Sequence, residues 1–188
     1  VMAGRGFGKT RTGAEWVRSL VERGVKRIGM IGPTADAIRD VMVEGESGLL
    51  AVCPPWDRPL YEPSKRRVTW ANGSQVALYS AEEPDRLRGP QHEALWYDEA
   101  CKRLTETWDN AMLGLRLGDN PQCLVTTTPR PSSKLREIMT AQATVITRGS
   151  TYDNLCNLAG SFHDQILARY EGTRLARQEL QGEYLEDI

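Results

Sequence analysis

Two short stretches of this chain carry residue types that can handle a phosphate chain. The first, Ala3-Gly4-Arg5-Gly6-Phe7-Gly8-Lys9-Thr10, follows the pattern of a small residue, four spacers and Gly-Lys-Thr, with Ala3 standing where a glycine is usual. Gly4, Gly6 and Gly8 let the backbone curl so that successive N–H groups point inward. Lys9 adds a point charge able to reach the β- and γ-phosphates of a nucleoside triphosphate, and Thr10 is placed to hold Mg²⁺. From Arg11 to Val21 the apolar residues recur at helical spacing, so the phosphates would sit at a helix N-terminus. The second stretch, Ala94-Leu95-Trp96-Tyr97-Asp98-Glu99-Ala100, is an apolar strand ending in two acids. A carboxylate at such a strand end can hold the Mg²⁺ water shell while its neighbour polarises an attacking water. Asp98 fits the first task and Glu99 the second.

These residues need elements to position them. Gly24 suits the C-cap of the first helix, and Val25 to Gly32 reads as a short buried strand. Ala35 to Met42 is patterned as a helix with Thr34 or Asp36 as N-cap. This alternation of strand and helix predicts a parallel sheet. Gly45 to Pro63, with Pro54, Pro55, Pro59 and Pro63, reads as a long irregular connection that either closes over a ligand or simply wanders. Arg66 to Ser80 forms two alternating runs around Asn72-Gly73, the pattern of a β-hairpin. Lys65, Arg66 and Arg67 lead into it, either against a nucleic-acid backbone or as a solvated strand end. Leu104 to Leu117 reads as a helix whose Trp108, Met112 and Leu115 pack on the sheet. Gln122 to Pro129 reads as a strand ending in Thr126, Thr127 and Thr128. Those hydroxyls either sense a γ-phosphate or reflect β-propensity alone. Ser132 to Met139 is then a helix, Thr144 to Arg148 a last strand, and Phe162 to Tyr184 one or two helices interrupted near Gly172.

Composition bounds the remaining possibilities. A chain of 188 residues, 40% apolar, suits one domain with a substantial core. A net charge of −1 excludes a generally basic nucleic-acid coat, so contact with DNA would come from a local patch. Cys53, Cys101, Cys123 and Cys156 form no CxxC pair, which predicts free thiols in a reducing compartment. No apolar run of membrane-spanning length is present, so a soluble, cytosolic protein is expected. Only Val1-Met2-Ala3 precedes the loop, which leads to the expectation that natural sequence is missing before it.

The glycine-rich loop containing Arg5, the run Leu95-Trp96-Tyr97-Asp98-Glu99, the Thr-Thr-Thr-Pro strand end and Gly149-Ser150-Thr151-Tyr152-Asp153-Asn154 together resemble the large terminase subunit of tailed bacteriophages. The likeness spans nearly the whole chain and is to that family's N-terminal motor domain, whose members hydrolyse ATP to translocate viral DNA into a procapsid. The resemblance implies an α/β P-loop NTPase of the additional-strand, catalytic-glutamate class: a central, mostly parallel sheet, helices on both faces and a β-hairpin insertion. It makes residues 1 to 188 one ATPase domain, with a separate C-terminal nuclease domain absent from the chain. By position Arg5 to Thr10 becomes the Walker A loop, Asp98-Glu99 the Walker B pair and Thr126 to Thr128 the coupling motif. The implied nucleotide-binding set is Gly4, Arg5, Gly6, Phe7, Gly8, Lys9, Thr10, Arg11 and Thr127, with Thr10 and Asp98 on Mg²⁺ and Lys9 and Glu99 catalytic. Arg88 corresponds to the arginine that reaches a neighbouring subunit's nucleotide in related motors. A plain surface ion pair fits Arg88 as well, and Arg86 is the nearest substitute. Implied partners are ATP, double-stranded DNA, the small terminase subunit and further copies in a ring on the procapsid portal, all in the cytoplasm of a bacterial host. Two other readings stay open: a helicase-type DNA-dependent ATPase lobe and a nucleotide-binding module without turnover.

Overall fold

The computed structural model describes residues 1–102, 104–162, 164–165, 168–170 and 172–185. Its strands, in chain order, are β1 (Met2–Ala3), β2 (Arg27–Gly32), β3 (Leu60–Glu62), β4 (Arg67–Thr69), β5 (Gln75–Ser80), β6 (Ala94–Asp98), β7 (Gln122–Thr126) and β8 (Arg148–Gly149). The chain divides into two compact units, Val1–Lys9 with Thr126–Ile188, and Thr10–Val125.

The second unit holds a six-stranded sheet of order β3-β4-β5-β2-β6-β7. Strand β2 runs parallel to both β5 and β6, whereas β3, β4 and β5 form an antiparallel edge, so the sheet is α/β and mostly parallel as expected. All five residues of β6 and five of six in β2 are buried, the continuous apolar pattern of strands covered on both faces. Helix α1 (Lys9–Glu22) turns Ala14, Val17, Leu20 and Val21 into the core at helical spacing. It ends where Gly24 adopts φ +86° and the Gly24 and Val25 N–H groups donate back to the Val21 and Leu20 carbonyls. Strand β2 starts on a side-chain anchor, since Glu93 Oε2 accepts from the Lys26 and Arg27 N–H groups at 2.7 and 2.8 Å.

Several sequence expectations meet a different outcome. Thr34 is the N-cap, accepting from the Ala37 N–H at 3.0 Å, but the helix is α only over Ala35–Ala37 and widens to a π turn over Ile38–Val43. That turn buries Ile38, Met42 and Val43, so packing has overridden the local preference. The proline-rich connection is more ordered than a wandering loop. It carries a helical turn at Leu49–Val52, a 3₁₀ turn at Pro55–Asp57 and the edge strand β3, which pairs with β4. The hairpin is present, with Gly73 at φ +84° and Asn72 Oδ1 accepting from the Ser74 N–H at 2.9 Å. In the basic run beside it Lys65 pairs with Glu62 at 2.5 Å and Arg66 with Glu83 at 2.6 Å. The helix Leu104–Gly114 buries Thr107 and Ala111, leaving Trp108 only half-buried, so its tryptophan is not the core residue expected.

In the first unit β1 pairs with β8 in parallel, Met2 opposite Arg148 and Ala3 opposite Gly149. Of the expected strand Thr144 to Arg148 only Arg148 is strand, and it pairs together with Gly149. Ser132 caps the helix Ser133–Thr140 by accepting from the Leu135 N–H at 3.0 Å. In the expected C-terminal helical run the described α-helical pieces are Gly160–Phe162, Ala168–Tyr170 and Arg174–Glu179, and the rest of its expected span lies partly outside the described residues.

Candidate functional site

The glycine loop belongs to the first unit, and its conformation follows from its glycines. Gly6 and Gly8 take φ of +76° and +104°, a region costly for residues with a Cβ. Gly4 is needed for close approach instead: a Cβ there would stand 2.0 Å from the Leu180 carbonyl oxygen. Lys9, only 8% exposed, curls into this loop. Its Nζ donates to the Ala3 and Gly4 carbonyls at 3.0 Å each and to Thr128 Oγ1 at 3.1 Å. A buried ammonium at the start of a helix, bonded to three neutral oxygens, is a charge that can trade those partners for phosphate oxygens. Thr126 and Thr127 are fully buried and Thr128 is 6% exposed. Thr127 Oγ1, singled out from sequence, donates to the Thr128 carbonyl at 3.1 Å, and Thr128 Oγ1 accepts from Lys9. Arg5 leans the other way, its Nε donating to Glu179 Oε2 at 2.6 Å. Phe7 lies over Gly149, where a Cβ would come within 2.2 Å of its ring.

The acids belong to the second unit. Asp98 ends β6 at 4% exposure, and Glu99 follows at φ +48°. A non-glycine residue in the left-handed region costs on the order of 1–3 kcal/mol, and such strain concentrates where a side chain must be aimed. Helix α1 approaches β6 so closely that a Cβ on Gly13 would stand 1.9 Å from Trp96 Cε2. Thr10 precedes Gly13 by three residues and Asp98 follows Trp96 by two, so both belong to the faces that meet there. The first turn of α1 holds no acidic residue to offset the positive end of its dipole. Arg11 lies along the helix, paired with Glu15 at 2.8 Å.

Arg88 closes the 3₁₀ turn Pro84–Leu87, followed by Gly89 at φ +103°. Its side chain is 71% exposed and bonds only loosely, to Asp85 Oδ1 at 3.3 Å and Asn110 Oδ1 at 3.4 Å. Arg86 is taken by Glu83 at 3.0 Å. Among the described residues no three His, Cys, Asp or Glu side chains gather as a ready metal cage.

Compared with known families, residues 1–187 match the model described as terminase large subunit, T4likevirus-type, N-terminal. The chain belongs to this family. It is the N-terminal part of a terminase large subunit, which sets aside the helicase-type lobe. Among solved structures, the large terminase ATPase domain of Thermus phage P74-26 is 18% identical with a TM-score of 0.71, the match covering 98% of this chain and 87% of that one. The large terminase of a thermophilic bacteriophage, solved with ADP, is 15% identical with a TM-score of 0.77, and the match covers 98% of this chain and 47% of that one. The same terminase with ATP-γ-S is 13% identical with a TM-score of 0.75, covering 97% and 46%. This terminase domain thus spans about half the length of that protein. No curated protein sequence matches it.

Three of the terminase loop's partners escaped sequence reasoning. Glu179, Thr151 and Asn154 bond to Arg5 and Gly6 from more than 140 residues away. The run from Gly149 to Asn154 was visible as part of the resemblance, yet nothing in it signals that its target is the loop.

Proposed function

We propose that this terminase domain is a Mg²⁺-dependent ATPase whose hydrolysis drives double-stranded DNA into a procapsid. The observation that carries this reading is the buried Lys9 ammonium at the head of α1, beside glycines whose left-handed turns suit a phosphate cradle. Gly4, Arg5, Gly6, Phe7, Gly8 and Lys9 line the loop; Thr10 and Arg11 open the helix behind it. The Thr10 hydroxyl and the buried Asp98 carboxylate are hard oxygen donors of the kind Mg²⁺ prefers, and would hold it. When bound, the ion neutralises charge on the β- and γ-phosphate oxygens. Glu99 orients and deprotonates the attacking water, Lys9 stabilises the transferring phosphoryl group, and Thr127 reports its departure through β7, which it directly follows. Arg88, exposed on a turn, serves the nucleotide of a neighbouring copy, which makes the working form a ring, seated on the portal, fed with DNA by the small terminase subunit in the host cytoplasm. Among the described residues no helix is long and apolar enough to cross a membrane.

The test separates binding from turnover. Lys9→Ala and Asp98→Ala lose tight Mg·ATP binding, whereas Glu99→Gln keeps binding and loses about 10²–10⁴ in rate, because only Glu99 acts on the water. Nucleotide titration and phosphate release with double-stranded DNA present read the two quantities. Equal loss of binding in all three variants would overturn the assignment of roles.

A further inference from the structure

The run Gly149 to Asn154 has no task in the reading above, yet it grips the glycine loop from behind. Thr151 Oγ1 donates to the Arg5 carbonyl and Asn154 Nδ2 to the Gly6 carbonyl, both at 2.6 Å. The Asn154 amide is oriented by Asn157, whose Nδ2 donates to Asn154 Oδ1 at 2.7 Å and leaves the Asn154 N–H groups for the loop. Thr151 is fully buried, its own N–H donating to the Leu180 carbonyl at 2.7 Å. Upstream a capping box locks the segment, with the Ser150 N–H and hydroxyl donating to Asp153 Oδ2 at 2.7 and 2.9 Å.

A trans peptide points its C=O and its N–H in opposite directions. Holding the Arg5 carbonyl therefore turns the Gly6 N–H to the far side, and holding the Gly6 carbonyl does the same for the Phe7 N–H. That Phe7 N–H now makes a long 3.4 Å bond back to the Gly4 carbonyl, a partner that a phosphate oxygen could replace. Without outside anchors, Gly4, Gly6 and Gly8 leave these peptides free to flip and present carbonyl oxygens to an anion.

We propose that Thr151 and Asn154 are positioning residues of the phosphate loop, holding the Arg5 and Gly6 carbonyls outward so that the Gly6 and Phe7 N–H groups face the β-phosphate of a nucleoside di- or triphosphate. The proposal rests on the nucleotide-binding reading of that loop. The β-phosphate contacts are alike in ground and transition states, so the effect falls on binding and not on the chemical step.

The experiment compares Thr151→Val, Thr151→Ser and Asn154→Asp with the parent chain. Each variant is titrated with ADP and ATP-γ-S, and steady-state ATP hydrolysis is measured. Thr151→Val and Asn154→Asp should weaken ADP binding and raise KM for ATP about tenfold, about 1.4 kcal/mol, with kcat changed by less than about threefold. Thr151→Ser, which keeps the donor, should stay within about twofold of the parent. Amide hydrogen exchange at Gly6 and Phe7 without nucleotide should quicken at least about fivefold in Thr151→Val and Asn154→Asp. Unchanged ADP affinity in both variants, or Thr151→Ser as weak as Thr151→Val, overturns the proposal. Quickened exchange in a loop whose parent binds neither nucleotide would support the outward anchoring and refute the nucleotide reading instead. Asn154 is only half-buried, so Asn154→Asp carries the test should the buried Thr151→Val fail to fold.

Discussion

His92 ties the stability of the acid-bearing sheet to pH. It lies two residues before β6, 3% exposed, with its Nε2 3.0 Å from the Tyr79 hydroxyl and the two rings edge to face at 5.4 Å. Burial first, and the Arg27 charge second, pull its pKa from 6.5 down to about 4, and burial pushes Tyr79 up to about 12. The folded chain thus holds His92 neutral where the unfolded chain protonates it. The sign follows: stability is fully present above pH 6.5 and falls as pH drops toward 4, because the unfolded state binds the proton first. From pH 7 to pH 5 this single group removes about 2 kcal/mol, and about 3 kcal/mol once below pH 4. Urea unfolding at pH 7, 6 and 5 measures the loss, with His92→Gln as the control that lacks the proton site. The variant starts less stable but shows the shallower pH dependence, so the two curves converge by about 2 kcal/mol at pH 5. Parallel curves would refute the reasoning, as would an NMR titration of His92 in the folded protein centred near 6.5.

Gly13→Ala forces a Cβ to within 1.9 Å of Trp96 Cε2, an overpacking expected to cost about 1–3 kcal/mol and to lower Tm by several degrees; adding Trp96→Phe should recover part of the loss in a melting experiment. Arg88→Ala should leave monomer binding of ATP nearly untouched, and mixing it with Glu99→Gln should restore hydrolysis in shared rings, since a mixed interface pairs an intact Glu99 with an intact Arg88. A mixture as inactive as its parents, in rings shown to be mixed, rules out action in trans. Thr127→Val should keep the fold and ATP hydrolysis while DNA packaging by the full-length protein fails; packaging at the parent rate would leave Thr127 a purely structural role.

What the sequence by itself determined was local. The glycine loop, the Thr34 cap and the Asn72-Gly73 turn depend on φ angles and on hydrogen bonds reaching only two or three residues along the chain, so residue order suffices to predict them. Strand β6 was equally legible, because a buried parallel strand must be apolar throughout and its acids mark the end. Tertiary structure decided the rest. Pairing of β3 with β4 ordered a proline-rich run whose local signals were all irregular, and burial of Ile38, Met42 and Val43 widened an expected α-helix into a π turn. Gly13 reads as a weak helix residue until Trp96 is seen to occupy the space of its missing side chain. Thr151 and Asn154 bond to loop carbonyls 146 and 148 positions away, and a neutral hydroxyl or amide carries no mark in sequence of which distant carbonyl it will meet. Such contacts follow from loop closures that only the assembled chain makes, which is why the phosphate loop could be read from its own residues and its supports could not.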